Sequence, residues 1–217
     1  MNFGQLKQLC SFYVDDLNFG YFTETQIGRF INQAQYEVQK ILIGAYENFY
    51  VKCQETSLVS SQSQYFLPQD FLKVVRLEIQ LSSALDDTSR IEAVTPNQKE
   101  LFPNQTGLPL GYYLLKNKIR LLPAPDQVLT LRLYYVYLVT EMTLDNQVPD
   151  VPTQYHELIS LLAARDCLLK DGRDISPVLE KKYADYVEMM KSDAEDRTID
   201  QPRRVVVTED YGSGGYV

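Results

Sequence analysis

The spacing of apolar residues predicts two helices at the start of the chain. Between residues 6 and 17, apolar side chains recur every three or four positions, which indicates a short amphipathic helix that ends near residues 18–20. A second helix begins at Thr23, because Thr23 and Gln26 have the spacing of a capping box and Phe22 and Ile27 that of a hydrophobic staple. Its continuous apolar stripe predicts a core-packed helix and comprises Ile27, Phe30, Ile31, Ala34, Val38, Ile41, Leu42 and Ala45.

The middle of the chain has the pattern of short β-strands arranged around Pro68. Pro68 fixes its own φ and favours extended geometry at Leu67, so the preceding strand must end there. One helical turn is expected next, and a new strand begins near Val74. We expect Leu67, Phe71 and Leu72 to be buried at this point, where they would anchor the β-rich part.

The strands are predicted to pair with their neighbours in sequence. Residues 50–60 and 65–67 have the layout of a hairpin around a polar turn, and residues 73–81 that of a second pair with residues 90–94. Residues 128–139 alternate between apolar and polar positions, as a long half-buried strand does. About six short strands with closely spaced turns predict a small antiparallel β-sandwich or barrel.

Helical spacing returns after Pro152, which is expected at the first helical position. The helix that follows is apolar on more than one face, so we expect it to be the most buried helix, and Gly172 ends it. Ser176 then caps a last helix that begins at Pro177. The apolar stripe of this last helix comprises Leu179, Tyr183, Tyr186, Val187, Met190 and Ala194.

The predicted fold class is α+β, with a helical bundle built from both ends of the chain. Residues 1–48 and 148–196 form the two halves of the helical part, and residues 49–147 form an inserted β-domain. Residues 197–217 lack any core-forming pattern and are predicted to be an extended C-terminal arm.

The predicted arm has the composition of a partner-binding segment. Three adjacent valines between polar flanks cannot build a core alone, but they favour an extended strand. Such a strand can add to the open sheet edge of a neighbour while nearby arginines pair with carboxylates. The alternative is an ordinary frayed terminus. The candidate partner-binding residues are Arg203, Arg204, Val205, Val206, Val207, Thr208 and Tyr211.

The composition narrows the classes of function. A formal net charge of −8 argues against a protein that grips nucleic acid, because affinity for phosphates comes from lysine and arginine. Sixteen tyrosines and no tryptophan are consistent either with subunit interfaces or with the strand preference of tyrosine. The three cysteines fit none of the paired metal spacings and are expected to be reduced thiols. Because no signal-peptide layout or bilayer-spanning segment is evident, we expect a soluble protein.

Candidate catalytic motifs are incomplete. His156 is the only histidine, and His156-Glu157 resembles the start of a zinc-protease helix motif, but Ser160 occupies the position of the second histidine. The adjacent aspartates at residues 15–16 and 86–87 are expected to be solvated caps, because glycosidase carboxylates need a defined separation across a cleft. The sequence therefore predicts no catalytic residue, no cofactor and no metal site.

A set of short motifs resembles a known family. In chain order they are residues 29–35 (RFINQAQ), 65–71 (YFLPQDF), 107–109 (GLP) with Tyr112-Tyr113, 119–125 (IRLLPAP), 131–135 (LRLYY) and 148–152 (VPDVP) with Tyr155-His156. Over roughly Phe22 to Leu169, their order and spacing resemble the head-to-tail connector (portal adaptor) proteins of tailed bacteriophages. The resemblance is greatest to the short-tailed type that includes tail tubular protein A.

The resemblance implies a structural virion protein of the phage neck or tail, made in the host bacterial cytoplasm. Such adaptors form a twelve-fold ring under the portal protein, extend the DNA channel for genome retention and ejection, and receive the next tail (nozzle) protein. The arm would reach toward the portal, and an acidic channel wall would let double-stranded DNA pass without specific binding. The alternatives are a tail-associated cell-wall glycan hydrolase and another distal tail or sleeve protein.

Overall fold

The computed structural model describes residues 1–82, 87–102 and 105–198. The chain is a mixed α+β protein, as the sequence predicts. Its helices are α1 (Phe3–Tyr13), α2 (Glu24–Ala45), α3 (His156–Asp171) and α4 (Pro177–Thr198). Its strands are β1 (Val51–Ser57), β2 (Gln64–Phe66), β3 (Phe71–Gln80), β4 (Thr88–Arg90), β5 (Glu92–Ala93), β6 (Gly111–Leu115), β7 (Lys118–Leu122) and β8 (Thr130–Tyr137). Short 3₁₀ turns lie at Glu47–Tyr50, Pro96–Leu101 and Thr153–Tyr155.

Helix α1 is shorter than the sequence predicts. It ends at Tyr13, and Leu17, which continues the helical spacing in the sequence, lies exposed in the following turn. The Asp16 carboxylate accepts backbone hydrogen bonds of 2.8–3.0 Å from three residues, numbers 20–22, and thereby stabilises this turn. Apolar periodicity alone could not show that Asp16 competes for these backbone donors. The predicted start of α2 is confirmed, because both hydrogen bonds of the capping box between Thr23 and Gln26 are present.

The predicted hairpin of residues 50–60 with 65–67 is wrong. Strand β1 pairs over its whole length with β8, and β2 pairs with β7 in a different sheet. The turn that follows β1 bonds to a distant loop instead of folding back. The Leu58 amide donates to the Leu129 carbonyl at 2.7 Å, and the Ser61 amide to the Pro125 carbonyl at 2.7 Å. These bonds hold the loop through which the chain passes from the sheet of β1 to the sheet of β2.

The strands form two four-stranded sheets. Sheet 1 has the order β1-β8-β3-β4, and sheet 2 has the order β2-β7-β6-β5. The predicted pairing of residues 73–81 with 90–94 is wrong for most of its length. Strand β3 pairs with β4, which shares only Arg90 with the predicted partner strand, and β5 crosses to sheet 2 and runs parallel to β6. Among the described residues the strands do not close into a barrel. A face-to-face sandwich stays a prediction.

The Pro68 region differs from the expectation at Leu72, in the partial burial of Phe71 and in the type of turn. Leu67 is buried, Phe71 is half-buried with its ring 5.9 Å from that of Tyr135, and Leu72 is 50% exposed. The register between β3 and β8 shifts between residues 71 and 73, so Leu72 is the extra residue of a bulge and points away from the core. A β-turn replaces the expected helical turn, since the Phe71 amide donates to the Pro68 carbonyl at 3.2 Å.

Two apolar cores organise the described residues. The first is built mainly from α1, α2 and α3, to which α4 contributes the fully buried Met190. The second contains side chains from both sheets, including Tyr65 and Leu121 of sheet 2 and Leu133 of sheet 1. Helix α3 is buried on more than one face, as predicted, and ends at Gly172 in the left-handed conformation with a φ of 71°. Within the described ranges no helix is long and apolar enough to span a bilayer.

Candidate junction and interaction surfaces

The sequence-predicted partner-binding residues lie outside the described residues. These residues are Arg203, Arg204, Val205, Val206, Val207, Thr208 and Tyr211, and the structure describes the chain only up to Thr198. Helix α4 is the last described element before them. The described part of the site therefore consists of the anchors of α4, the junction between the helices and the sheets, and the exposed faces of both parts.

The amide of Gln39 joins helix α2 to the end of strand β8. Gln39 is almost fully buried, and its side chain donates to the Tyr137 carbonyl at 2.6 Å and accepts from the Val139 amide at 3.2 Å. Tyr137 is the last residue of β8, and Val139 lies beyond the end of the strand. Buried backbone groups without hydrogen bonds are costly, and the helix side chain supplies the missing bonds.

Asn32 and Gln35 extend the same line of amides along α2. Asn32 both donates to and accepts from the backbone of Met142, at 2.9 and 3.0 Å, and the Gln35 amide donates to the Thr140 carbonyl at 3.0 Å. The three amides are at positions i, i+3 and i+7, which lie on one face of a helix. We name the set formed by Asn32, Gln35 and Gln39 the amide line. The amide line attaches the chain segment that leaves strand β8 to helix α2.

A carboxylate at the start of α3 anchors α4. Glu157 accepts hydrogen bonds from Tyr13, from Lys182 at 2.5 Å and from Tyr186 at 2.5 Å. Burial by itself would raise the pKa of Glu157, but these three donors outweigh it and lower the pKa to about 2. The cluster joins α1, α3 and α4 through a single charged acceptor.

A second polar contact anchors α4 closer to its end. The Asp193 carboxylate accepts from the Gln154 amide at 2.7 Å and from the Tyr155 hydroxyl at 2.6 Å. Between the two anchors, Met190 is fully buried in the helical core. Helix α4 is therefore held at two points along its length.

Tyrosine hydroxyls pair with carboxylates throughout the described chain. Besides the Glu157 and Asp193 contacts, Tyr135 donates to Asp70 at 2.9 Å and Tyr137 to Asp150 at 2.8 Å. The sequence suggested interfaces or strands as the place for its tyrosines. The structure shows a third arrangement, in which the tyrosine rings pack on the apolar cores and their hydroxyls donate hydrogen bonds to acidic side chains.

These pairs predict a loss of stability at alkaline pH. Burial, and then the hydrogen bond to Asp70, raises the pKa of Tyr135 to about 12. The ordinary tyrosine value is about 10. A raised folded-state pKa means that the stabilisation is fully present below about pH 10 and is lost as the pH rises toward 12. Urea unfolding should show this decline between about pH 10 and 12, and it should be shallower in Tyr135→Phe. A pH-independent unfolding midpoint over this range would contradict the prediction.

The outer face of sheet 2 is basic and apolar. The register places Phe66, Lys118 and Leu115 in one row and Gln64, Arg120 and Tyr113 in the next. The Lys118 Nζ lies 4.6 Å from the centre of the Phe66 ring. No acidic residue occurs between residues 101 and 125. This face therefore differs in sign from the acidic chain as a whole.

The candidate catalytic residues make the contacts of structural residues. His156 is buried between the Val151 carbonyl, 2.9 Å from its Nε2, and the Met1 amino group, 2.6 Å from its Nδ1. Burial is the main cause that lowers the pKa of His156. Within the described ranges no three His, Cys, Asp or Glu side chains form a group that could hold a metal ion. Asp16 bonds a turn, as expected for a cap, and Asp86 lies outside the described residues.

The amide line is the part of the site that sequence reasoning missed. Asn32 and Gln35 lie inside the motif at residues 29–35, and Gln39 lies one helical turn beyond it. The signal was available in principle, because three amides at helical spacing on a mostly apolar stripe need buried partners.

Comparison with known families gives one match. The family model described as SU10 adaptor protein matches residues 1–207 of the chain. The match covers both helical segments, both sheets and the predicted arm residues up to Val207. No curated protein matches the chain.

Proposed function

The chain belongs to the SU10 adaptor protein family, and from this premise we propose that it forms a ring between the portal protein and the tail of a bacteriophage. Membership makes the chain a phage structural adaptor and a component of the virion. The family match over residues 1–207 is the observation that carries the proposal. The finer parts of the proposal are the ring, its partners and its DNA channel.

The proposed ring contains twelve copies, with the portal protein on one side and the next tail (nozzle) protein on the other. A ring requires head-to-tail contacts in which two different faces of each copy meet. In this proposal residues 1–48 and 148–196 build the ring, and residues 49–147 form a β-domain inserted between them. The two apolar cores support this division, and Tyr50, Val136, Val139 and Met142 of the β-domain join the helical core.

DNA passes through the proposed channel without binding specifically to its wall. The net charge of −8 gives an overall repulsion between the protein and phosphate groups. Double-stranded DNA would then pass during packaging and ejection without specific binding, because few counterions would be released by contact. The ring thereby extends the channel for genome retention and ejection.

The proposed arm binds the portal protein. Deleting the residues after Asp200 should leave the melting temperature within about 2 °C of the full chain, because few core contacts would be lost. The same deletion should abolish co-sedimentation with purified portal. The double substitution R203E/R204E should weaken this binding, and R29E/K40E, with the same charge change on the exposed side of α2, should not. If the truncated chain binds portal as well as the full chain does, the segment is only a frayed terminus.

The structural role is tested in the phage itself. A phage with an early stop codon in this gene should package DNA into its heads. These heads should carry no tails and should then lose their DNA. Supplying the gene from a plasmid should restore tailed particles. Tails that attach normally in the absence of the protein would contradict the proposed function.

A further inference from the structure

The basic sheet face has cations without acidic partners. We define this face as Phe66, Leu115, Lys116, Lys118 and Arg120. None of its three cations forms an ion pair with a described residue. The Arg120 Nε is buried and has no hydrogen-bond partner. A buried guanidinium nitrogen without an acceptor is costly.

Exposed apolar groups accompany these charges. Phe66 is 70% exposed and Leu115 is 41% exposed, and Lys118 separates them in the same row of the sheet. Interface centres are enriched in aromatic residues and arginine, and the face combines both. A DNA duplex would use the cations but not Phe66 and Leu115. The face therefore fits a protein surface that offers carboxylates next to apolar side chains.

Helix α4 presents a surface of that kind. Its core stripe packs on α2 and α3, and the opposite stripe consists of Val178, Lys181, Asp185, Glu188 and Met189 at helical spacing. Val178 is 74% exposed. Asp185 and Glu188 form no ion pair with a described residue. We define Val178, Lys181, Asp185, Glu188 and Met189 as the acidic helix face, in which two carboxylates stand against one cation.

We propose that the basic sheet face of one copy docks on the acidic helix face of a neighbouring copy. Lys116 and Lys118 pair with Asp185 and Glu188, and Phe66 packs against the exposed apolar residues of α4. The occupant is a second copy of this chain because the same chain carries both complementary faces, on different elements. Two different faces that meet head to tail are what a closed ring requires. This contact rests on the proposed ring and extends its interface from the helical part to sheet 2 of the β-domain.

Charge reversal tests the contact in the full chain. The variant K116E/K118E reverses the sheet face, D185K/E188K reverses the helix face, and R29E/K40E is a control with two reversed charges on exposed positions of α2. Sedimentation velocity and native mass spectrometry are run on each variant alone and with purified portal. Thermal melting verifies that each variant is folded. Wild type and control should assemble, and each face variant should associate at least about tenfold more weakly.

Mixing the variants gives the sharpest result. In a mixture of the two face variants, every contact joins a negative face of K116E/K118E to a positive face of D185K/E188K, so the mixture should assemble with the two variants in alternation. The quadruple variant K116E/K118E/D185K/E188K restores opposite charges and should assemble again, with the same weakening at high salt as wild type.

Three results would overturn this contact. Normal assembly of K116E/K118E would remove the sheet face from the interface and leave the proposed ring intact. Loss of DNA binding in K116E/K118E, with assembly unchanged, would assign the face to nucleic acid. A wild-type chain that stays monomeric even with portal would overturn the ring and this contact together.

Discussion

Replacing Gln39 with leucine should lower the free energy of unfolding by about 2–5 kcal/mol. Leucine fills nearly the same space but offers no hydrogen bond. The Tyr137 carbonyl and the Val139 amide would then both lose the partner that the Gln39 side chain gives them, at 2.6 and 3.2 Å. Each buried group left without a partner costs about 1–3 kcal/mol, which makes this one of the largest effects expected of a single substitution.

The same helix offers a matched control for this prediction. Gln33 lies on the exposed side of α2, so Gln33→Leu makes the same chemical change without removing a buried bond. Urea unfolding followed by circular dichroism compares the two variants. If Gln39→Leu falls within about 0.5 kcal/mol of Gln33→Leu, the amide line does not hold the junction.

Replacing Glu157 with glutamine should lower the free energy of unfolding by about 1.5–3 kcal/mol near neutral pH, because hydrogen bonds to a charged acceptor would be lost. The substitution removes the charge that Lys182 neutralises, and it weakens the bonds from Tyr13 and Tyr186. Since this cluster anchors α4, the end of that helix should exchange amide hydrogens faster in the variant.

The pH dependence identifies the cause of this effect. The pKa of Glu157 in the folded chain is about 2, below its ordinary value of 4.5. A lowered folded-state pKa means that the stabilisation is present above about pH 4.5 and is lost as the pH falls toward 2. Wild type should therefore lose stability more steeply than Glu157→Gln between pH 5 and 2. Glu180→Gln, on an exposed residue of α4, serves as control and should follow wild type.

The elements that depend on neighbouring residues could be predicted from the sequence. Thr23 and Gln26 start α2 through a local capping box, and Gly172 ends α3 because the left-handed conformation suits it. The burial of α3 on several faces followed from its apolar composition. These features need only contacts within a few positions of the chain.

The features that depend on distant residues could not be predicted in the same way. The pairing of β1 with β8 joins residues about 80 positions apart, and no local pattern specifies such a partner. The exposure of Leu72 depends on a bulge set by the register with β8. The role of Gln39 depends on where the chain turns after Tyr137, and the periodicity of α2 contains no information about that path.

The mass of the assembly that the full chain forms with purified portal tests the ring most directly. Native mass spectrometry should show a closed multimer bound to portal, with twelve copies of the 25.0 kDa chain adding about 300 kDa. The number of copies should stay the same when the chain is added in excess, because a closed ring has no free end. A chain that binds portal only as a monomer, or whose assemblies grow without limit, would contradict the account.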